Sequence, residues 1–161
     1  IKIMKDLVKE VRRIIKKNRW LVLSTVDEEG QPHSSVVMYQ SDGYDIYFET
    51  GEDTLKAKNV RNNHKISVTI PFRKNFLHKI IPAPPAELHF KAIAEFISRD
   101  NDKARKIMVK VLKYEEKVGI EDGIVWIKII PSNIISTFGV GVKLWDMRKP
   151  EKARNLIKLD A

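Results

Sequence analysis

Several features that are common in proteins are missing from this sequence, and each absence excludes a class of function. The chain has no cysteine, which excludes disulfide bonds and thiolate metal sites. No uninterrupted apolar run approaches the roughly 20 residues that a helix needs to span a bilayer. The opening segment IKIMKDLVKEVRR has no apolar signal core behind its charges. We therefore expect a protein without a membrane segment, located in the cytoplasm.

The short motifs of covalent, hydrolytic and metal-dependent catalysis are missing as well. The sequence contains no GxSxG, no P-loop and no GxGxxG. The histidines have no second ligand at helix or strand spacing, and they stand far apart at His33, His64, His78 and His89. We therefore assign no catalytic side chain and no metal ligand.

Charge is abundant, with a formal net value of +9 over 161 residues. Clustered Lys and Arg would indicate nucleic-acid binding, because they neutralise phosphates and release counterions. Here the basic residues are dispersed in segments such as KEVRRIIKK and SRDNDKARK, most of them mixed with acids or on solvated helix faces. This distribution favours an ordinary basic surface over a polynucleotide footprint, and such a surface also attracts small phosphorylated ligands.

Hydrophobic periodicity predicts a mainly β (α+β) fold in a single domain over residues 1–161. An amphipathic helix is predicted at 3–17 and another at 101–118, with a proline-rich loop at 71–86 and a C-terminal tail at 142–161. The predicted strands occupy residues 20–26, 33–40, 44–50, 64–70, 87–98, 123–130 and 133–141. Six or seven antiparallel strands with flanking helices indicate a barrel across about residues 20–141, since closure removes exposed edges.

The segment FETGEDTLKAKNVRNN, at residues 48–63, carries the strongest candidate binding site. It predicts a short helix capped by Asp53 or Thr54, and the free amides at such a start favour an anion. The hydroxyls of Thr50 and Thr54 add donors, and Lys56 adds a positive charge. Together they predict a cradle for a terminal phosphate. The alternative is that Thr54 only caps the helix while the lysines extend into water.

Further short motifs follow one another in a recognisable order along the chain. They are Gly30 and Pro32 in a turn, YFET ending at Thr50, Thr54-Leu55-Lys56, and Asn63 followed by HKISVTI. The segments AELHFKAIAEFI and VWIKIIPSNI come later in the same order. In this arrangement the sequence resembles the flavin-binding split barrel of the pyridoxamine 5'-phosphate oxidase-related proteins, over most of the chain. The resemblance implies a six- to seven-stranded antiparallel split β-barrel with flanking helices.

The resemblance also implies FMN at a homodimer interface, with its phosphate at the helix start and its ring over the strands. The residues that match the phosphate motif are Thr50, Thr54 and Lys56, with Lys58 as a weaker addition. On the strand whose backbone faces the isoalloxazine ring, the matching residues are Val36, Val37 and Met38. In the family manner, Trp145 would reach the flavin of a partner subunit, whereas packing beside Leu144 is the alternative role.

The sequence departs from the oxidase itself at its substrate-binding positions. Leu55 stands where the oxidase has an arginine before the lysine of the phosphate motif, and the strand HSSVVMYQ has no arginine. The C-terminal segment also lacks the Arg-x-His of the oxidase. The resemblance therefore does not extend to oxidation of a B6 vitamer. It implies a flavoprotein, an oxidoreductase similar to flavin reductases, that passes a hydride or electrons between a reduced nicotinamide and a small-molecule acceptor.

Two alternatives remain at the level of sequence. Within the same fold, a deazaflavin-dependent reductase would use a different cofactor. From another class, a non-catalytic module would hold flavin, haem or RNA. One barrel can host all of these activities, so the fold does not choose among them.

Overall fold

The computed structural model describes residues 2–160 as an antiparallel sheet with five α-helices. The helices are α1 (Lys2–Lys17), α2 (Leu55–Asn62), α3 (Asp102–Ile107), α4 (Val109–Val118) and α5 (Pro150–Ala153). The strands are β1 (Trp20–Val26), β2 (Pro32–Met38), β3 (Gln40–Ser41), β4 (Ile46–Gly51), β5 (Lys65–Phe72), β6 (Ala86–Ile97), β7 (Ile124–Pro131), β8 (Ile134–Phe138) and β9 (Arg154–Lys158). Short 3-10 helices lie at Phe76–Lys79 and Leu144–Arg148.

The sheet has the strand order β2-β1-β5-β6-β7-β4-β3, and it divides at the long strand β6. Along one edge, β6 pairs with β5 from Ala86 to Ile93. Along its other edge, the first half of β6 pairs with β8 and the second half with β7, while β9 continues beyond β8. This division curls the sheet into a half-barrel and confirms the predicted split-barrel class.

Strict alternation explains which side of the sheet becomes the core. Along β6, Leu88, Phe90, Ala92 and Ala94 are buried while the residues between them are exposed. Helix α1 closes the barrel with a buried stripe that includes Ile15. These residues belong to one apolar cluster, which we call the barrel core and which includes Val11, Ile14, Ile15, Leu21, Phe48, Val68, Leu88, Phe90, Ile127 and Ile135.

A second and smaller apolar cluster lies on the opposite face of β4 and β7. Its buried residues are Tyr47, Ala104, Met108 and Trp126, and we call it the outer cluster. Tyr47 and Trp126 alternate with the barrel-core residues of the same strands, so they project outward. Helices α3 and α4 cover them.

The structure differs from the predicted elements mainly where pairing is not local. The predicted helix 101–118 is divided at Met108, whose backbone leaves the helical region at φ −79° and ψ 22°. The predicted strand 133–141 ends at Phe138, because Gly139 and Gly141 follow with φ of 81° and 72°. The predicted tail contains β9, which pairs with β8 over its whole length. With β3, this brings the sheet to nine strands.

Candidate functional site

A groove of about 560 Å³ lies between the barrel and helix α4. Its barrel side is formed by the end of β2 and by β4, and its outer side by residues of α4 and the preceding turn. One end reaches the first turn of α2 at Lys56, and the other reaches Arg19 and Gln40. Its volume lies within the range of about 300–1,000 Å³ that is usual for sites of small molecules and cofactors.

The first turn of α2 forms a polar end of the groove. Thr50 is buried, and its hydroxyl lies 3.1 Å from that of Thr54. The hydroxyl of Thr54 donates to the carbonyl of Gly51 at 2.8 Å and accepts from the amide of Ala57 at 3.4 Å, which makes it the N-cap. The amides that precede Ala57 in the helix have no carbonyl within the helix to bond. With Lys56 beside them, this end is suited to an anion.

Strand β2 gives the groove a free backbone edge. In residues 2–160 it pairs only with β1, in a register that sets Met38 opposite Trp20 and Val36 opposite Val22. The outward N–H and C=O groups of an edge strand are available to a ligand. Val37 points into the barrel core, whereas Val36 and Met38 are 65% and 59% exposed beside this edge.

A charged cluster forms the wall of the groove next to Thr50. Glu49 lines the groove and lies directly across from Trp126 in the pairing of β4 with β7. Behind it, Nη2 of Arg99 donates to both carboxylate oxygens of Glu115 at 2.6 Å. Burial raises the pKa of Glu49, and the charge of Glu115 raises it further, while the nearby indole of Trp126 and the charge of Arg99 act in the opposite direction. The groove wall therefore holds a carboxyl group that resists ionisation.

Comparison with known proteins identifies the family. The family model described as pyridoxamine 5'-phosphate oxidase matches residues 7–135. The chain belongs to the pyridoxamine 5'-phosphate oxidase family. Members of this family bind flavins. The sequence has no significant match among proteins of curated function.

Solved structures share the split-barrel fold of this family member at low sequence identity. HutZ, the haem storage protein from Vibrio cholerae, is 17% identical, with a TM-score of 0.66 over 83% of this chain and 95% of that chain. A haem-binding protein from Mycobacterium smegmatis is 15% identical, with a TM-score of 0.69 over 96% of this chain and 58% of that chain. An FAD-binding protein from Mesorhizobium loti is 14% identical, with a TM-score of 0.63 over 80% of this chain and 91% of that chain. These similarities establish the fold alone.

The structure brings most of the predicted binding residues of this family member together. The residues that line the groove are Val36, Val37, Met38, Thr50 and Lys56, and Thr54 joins them through its hydrogen bond to Thr50. Thus residues predicted from two separate segments, β2 and the start of α2, share one groove.

Two of the predicted residues lie elsewhere in the same chain. Lys58 is exposed and borders a surface hollow with Asp27, Glu28 and Asn62. Trp145 is 63% exposed on a 3-10 helix, and the guanidinium carbon of Arg148 lies 5.2 Å from the centre of its ring. Neither side chain lines the groove.

The outer wall of the groove was not predicted from the sequence. Met108, Lys110, Val111 and Tyr114 come from helix α4 and the turn before it. The stripe that contains Val111 and Tyr114 predicts a helix, but the pattern does not indicate which surface the helix covers. Glu49 had a weak signal, as a charged residue directly before Thr50 in YFET.

The described residues also bear on two other classes of function. Among residues 2–160, no three His, Asp or Glu side chains form a group able to hold a metal ion. None of the helices in this part of the chain is long and apolar enough to cross a membrane.

Proposed function

We propose that this protein binds FMN in the groove and serves as an oxidoreductase. The phosphate would lie at the start of α2, between Thr50, Thr54 and Lys56, and the isoalloxazine ring along the free edge of β2. The observation that carries the proposal is the meeting of these two segments in one groove. A helix start suited to an anion and a strand edge with unpaired amides together match the phosphate and the polar ring edge of a flavin nucleotide.

The distance between the two ends supports a ligand with a linker between phosphate and ring. Gln40 lies directly across from Tyr47, and Thr50 follows Tyr47 on the same strand. Since a strand rises by roughly 3.3 Å per residue, about 10 Å separates Tyr47 from Thr50. A ribityl chain would cross this interval.

Bound FMN would supply hydride and electron transfer, for which we propose a reduced nicotinamide as donor and a small molecule as acceptor. The chain's own groups would bind and orient. The outward amides of β2 would donate to the polar edge of the ring, which stabilises the electron-rich reduced state. Lys56 would neutralise the phosphate, and Met38 would shield the ring from water. No side chain is required to exchange a proton in this scheme.

We further propose that the protein is a homodimer with the flavin at its interface. Trp20, Val36 and Met38 are 56%, 65% and 59% exposed, and they adjoin one another on the outer face of β1 and β2. An exposed apolar patch at a sheet edge supports an interaction surface. A second copy seated there would cover the ring, and the exposed Trp145 of that copy would be available to contact it.

Haem is the second candidate ligand, because two proteins with the same fold are described as haem proteins. Within residues 2–160, none of the four histidines lines the groove, which would leave the iron without an imidazole ligand from the same chain. The groove does contain the thioether groups of Met38 and Met108. Flavin therefore fits the donor groups of the groove better than haem does.

The experiment that tests the proposal is a flavin titration of the wild type, Lys56→Ala and Lys58→Ala. Lys56 lines the groove and Lys58 faces solvent two residues later, so the second variant is a matched control. We expect saturable FMN binding that weakens by about tenfold in Lys56→Ala, the loss of one charge-assisted contact, and is unchanged in Lys58→Ala. Absence of FMN binding by the wild type, together with a Soret band on adding haemin, would replace flavin by haem.

A further inference from the structure

Three buried polar atoms without a hydrogen-bond partner in residues 2–160 belong to Glu49, which lines the groove, and to two side chains behind it. They are Oε2 of Glu49, Nη1 of Arg99 and Nε1 of Trp126. Buried polar groups are nearly always paired, because each unpaired group loses its hydration without compensation. A cluster of three beside a binding groove therefore marks a position where the fold is less stable than it could be.

The local geometry keeps Arg99 from pairing with Glu49. Arg99 is held by the two hydrogen bonds from its Nη2 to Glu115, and its guanidinium carbon lies 4.7 Å from the centre of the Trp126 ring. Its Nη1 consequently lies 4.0 Å from Oε2 of Glu49, beyond hydrogen-bond distance. Glu49 is therefore left beside a cation that is already committed to another carboxylate.

The other oxygen of Glu49 is the one that a ligand can reach. The Glu49 side chain is 33% exposed, yet its Oε2 is buried. The exposed part is therefore Oε1 and the stem, and Glu49 lines the groove. The neighbouring residue Thr50 belongs to the phosphate end, whereas Tyr47 lies across from Gln40 at the other end. Glu49 thus lies between the two ends.

Retention of an acid at this position has a cost in stability. Burial and the nearby charge of Glu115 raise the pKa of Glu49, so the ionised form is disfavoured by the fold. A neutral side chain of similar shape would avoid this penalty. Departures of this kind from local stability are concentrated at functional sites.

We propose that Glu49 recognises the polyol chain of the flavin, by accepting hydrogen bonds from ribityl hydroxyls between the phosphate end and the ring end of the groove. The inference rests on the proposed function. A hydroxyl is the matching partner, because it donates to a carboxylate without bringing a charge into the groove. Haem carries no hydroxyl and would gain nothing from this acceptor, so Glu49 would favour flavins through hydrogen bonding.

The test compares three flavins on the wild type, Glu49→Ala, Glu49→Gln and Lys56→Ala. Lumiflavin has the ring alone, riboflavin adds the ribityl chain, and FMN adds the phosphate. In Glu49→Ala, we expect the affinity advantage of riboflavin over lumiflavin to fall by about tenfold, the loss of one hydrogen bond to a charged acceptor. In Lys56→Ala, that advantage should persist, and only the advantage of FMN over riboflavin should fall.

The remaining variants and outcomes distinguish a loss of ligand recognition from a loss of folding. They also distinguish failure of this inference from failure of the proposed function. Glu49→Gln keeps an acceptor, so its affinity advantage of riboflavin over lumiflavin should lie between those of Glu49→Ala and the wild type. If Glu49→Ala does not fold, Glu49→Gln provides the test. An unchanged riboflavin advantage in both Glu49 variants would overturn this inference alone. A wild type that binds none of the three flavins would overturn the proposed function and this inference together.

Discussion

The two apolar clusters of the molecule differ in size and in what they support. The barrel core unites helices α1 and α2 with strands along the sheet, and its side chains are buried on every side. The outer cluster has four buried residues, and α4, which covers it, contains no fully buried residue. Tyr47 and Met108 of the outer cluster also line the groove. The candidate ligand site therefore lies beside the smaller cluster, where few side chains are buried. Its other wall belongs to the barrel, whose core is larger.

This difference has a consequence for dynamics. Segments with few buried apolar contacts open at lower free energy than the global unfolding reaction. Helix α4 should therefore move relative to the barrel, while β4, most of whose residues are buried, stays fixed. A fixed strand with an adaptable cover allows a planar ligand to enter and then be enclosed.

The largest effect is expected from a cavity in the barrel core. Phe90 is 2% exposed at the centre of β6. Phe90→Ala should lower the free energy of unfolding by about 3–5 kcal/mol, measured by urea denaturation, because lost burial and an unfilled cavity add. The folded fraction should keep the flavin affinity of the wild type. A marked loss of affinity without loss of stability would mean that the two clusters are not separable.

A matching cavity in the outer cluster should cost less and affect binding more. Met108 is 1% exposed, lies at the junction of α3 and α4, and lines the groove. Met108→Ala should lower the free energy of unfolding by about 2 kcal/mol, the lower end of the range for such a change. The cost is small because α4 can move inward and fill part of the cavity. FMN affinity should change as well, which a titration detects.

The control for this variant is Val109→Ala, on the next residue, whose side chain is 39% exposed. It should leave FMN affinity unchanged and stability nearly so. If Met108→Ala matched Phe90→Ala in stability and left flavin binding intact, the outer cluster would be a second structural core and not a cover of the groove.

Sequence patterns predicted most of the fold, because most elements depend on local alternation. Strand β6 was expected at 87–98 and spans Ala86–Ile97, since its alternating side chains allow one register. Strand β9 was missed because RNLIK has little apolar pattern and its partner β8 lies well before it in the chain. The break at Met108 was missed because the apolar stripe continues across it from Ile107 to Val111. Met108 packs in the outer cluster with Tyr47 and Trp126, a non-local contact that the pattern does not show.

The same distinction between local and non-local contacts applies to the residues of the candidate site. Thr50, Thr54 and Lys56 could be predicted together because they are close in sequence and meet at one helix start. Met108 could not be placed beside them, since it lies 68 residues from Gln40, whose side-chain amide contacts its sulfur. Residues that meet at one helix start were therefore predictable from the sequence, and those on helix α4 were not.

The smallest effect is expected at Glu49, where the groove meets the outer cluster, and it depends on pH. Burial first, and Glu115 second, raise the pKa of Glu49 above its ordinary 4.5. Below that ordinary pKa the group is protonated in both the folded and unfolded states, so its ionisation has no effect on stability. As pH rises through the higher folded-state pKa, the folded state must accommodate an unfavourable carboxylate, and stability is lost.

Glu49→Gln cannot ionise, so its melting temperature should equal that of the wild type in acid and exceed it at neutral pH. Circular dichroism melts at a series of pH values from acid to neutral measure this difference in melting temperature. Glu116→Gln, on the exposed face of α4, is the control. A difference that is constant with pH, or a less stable variant at neutral pH, would contradict the assignment. Saturating FMN should reduce the difference in melting temperature at neutral pH. The wild type binds FMN more tightly than Glu49→Gln, so the ligand stabilises its folded state more. In that case the carboxylate is retained for the ligand and not for the fold.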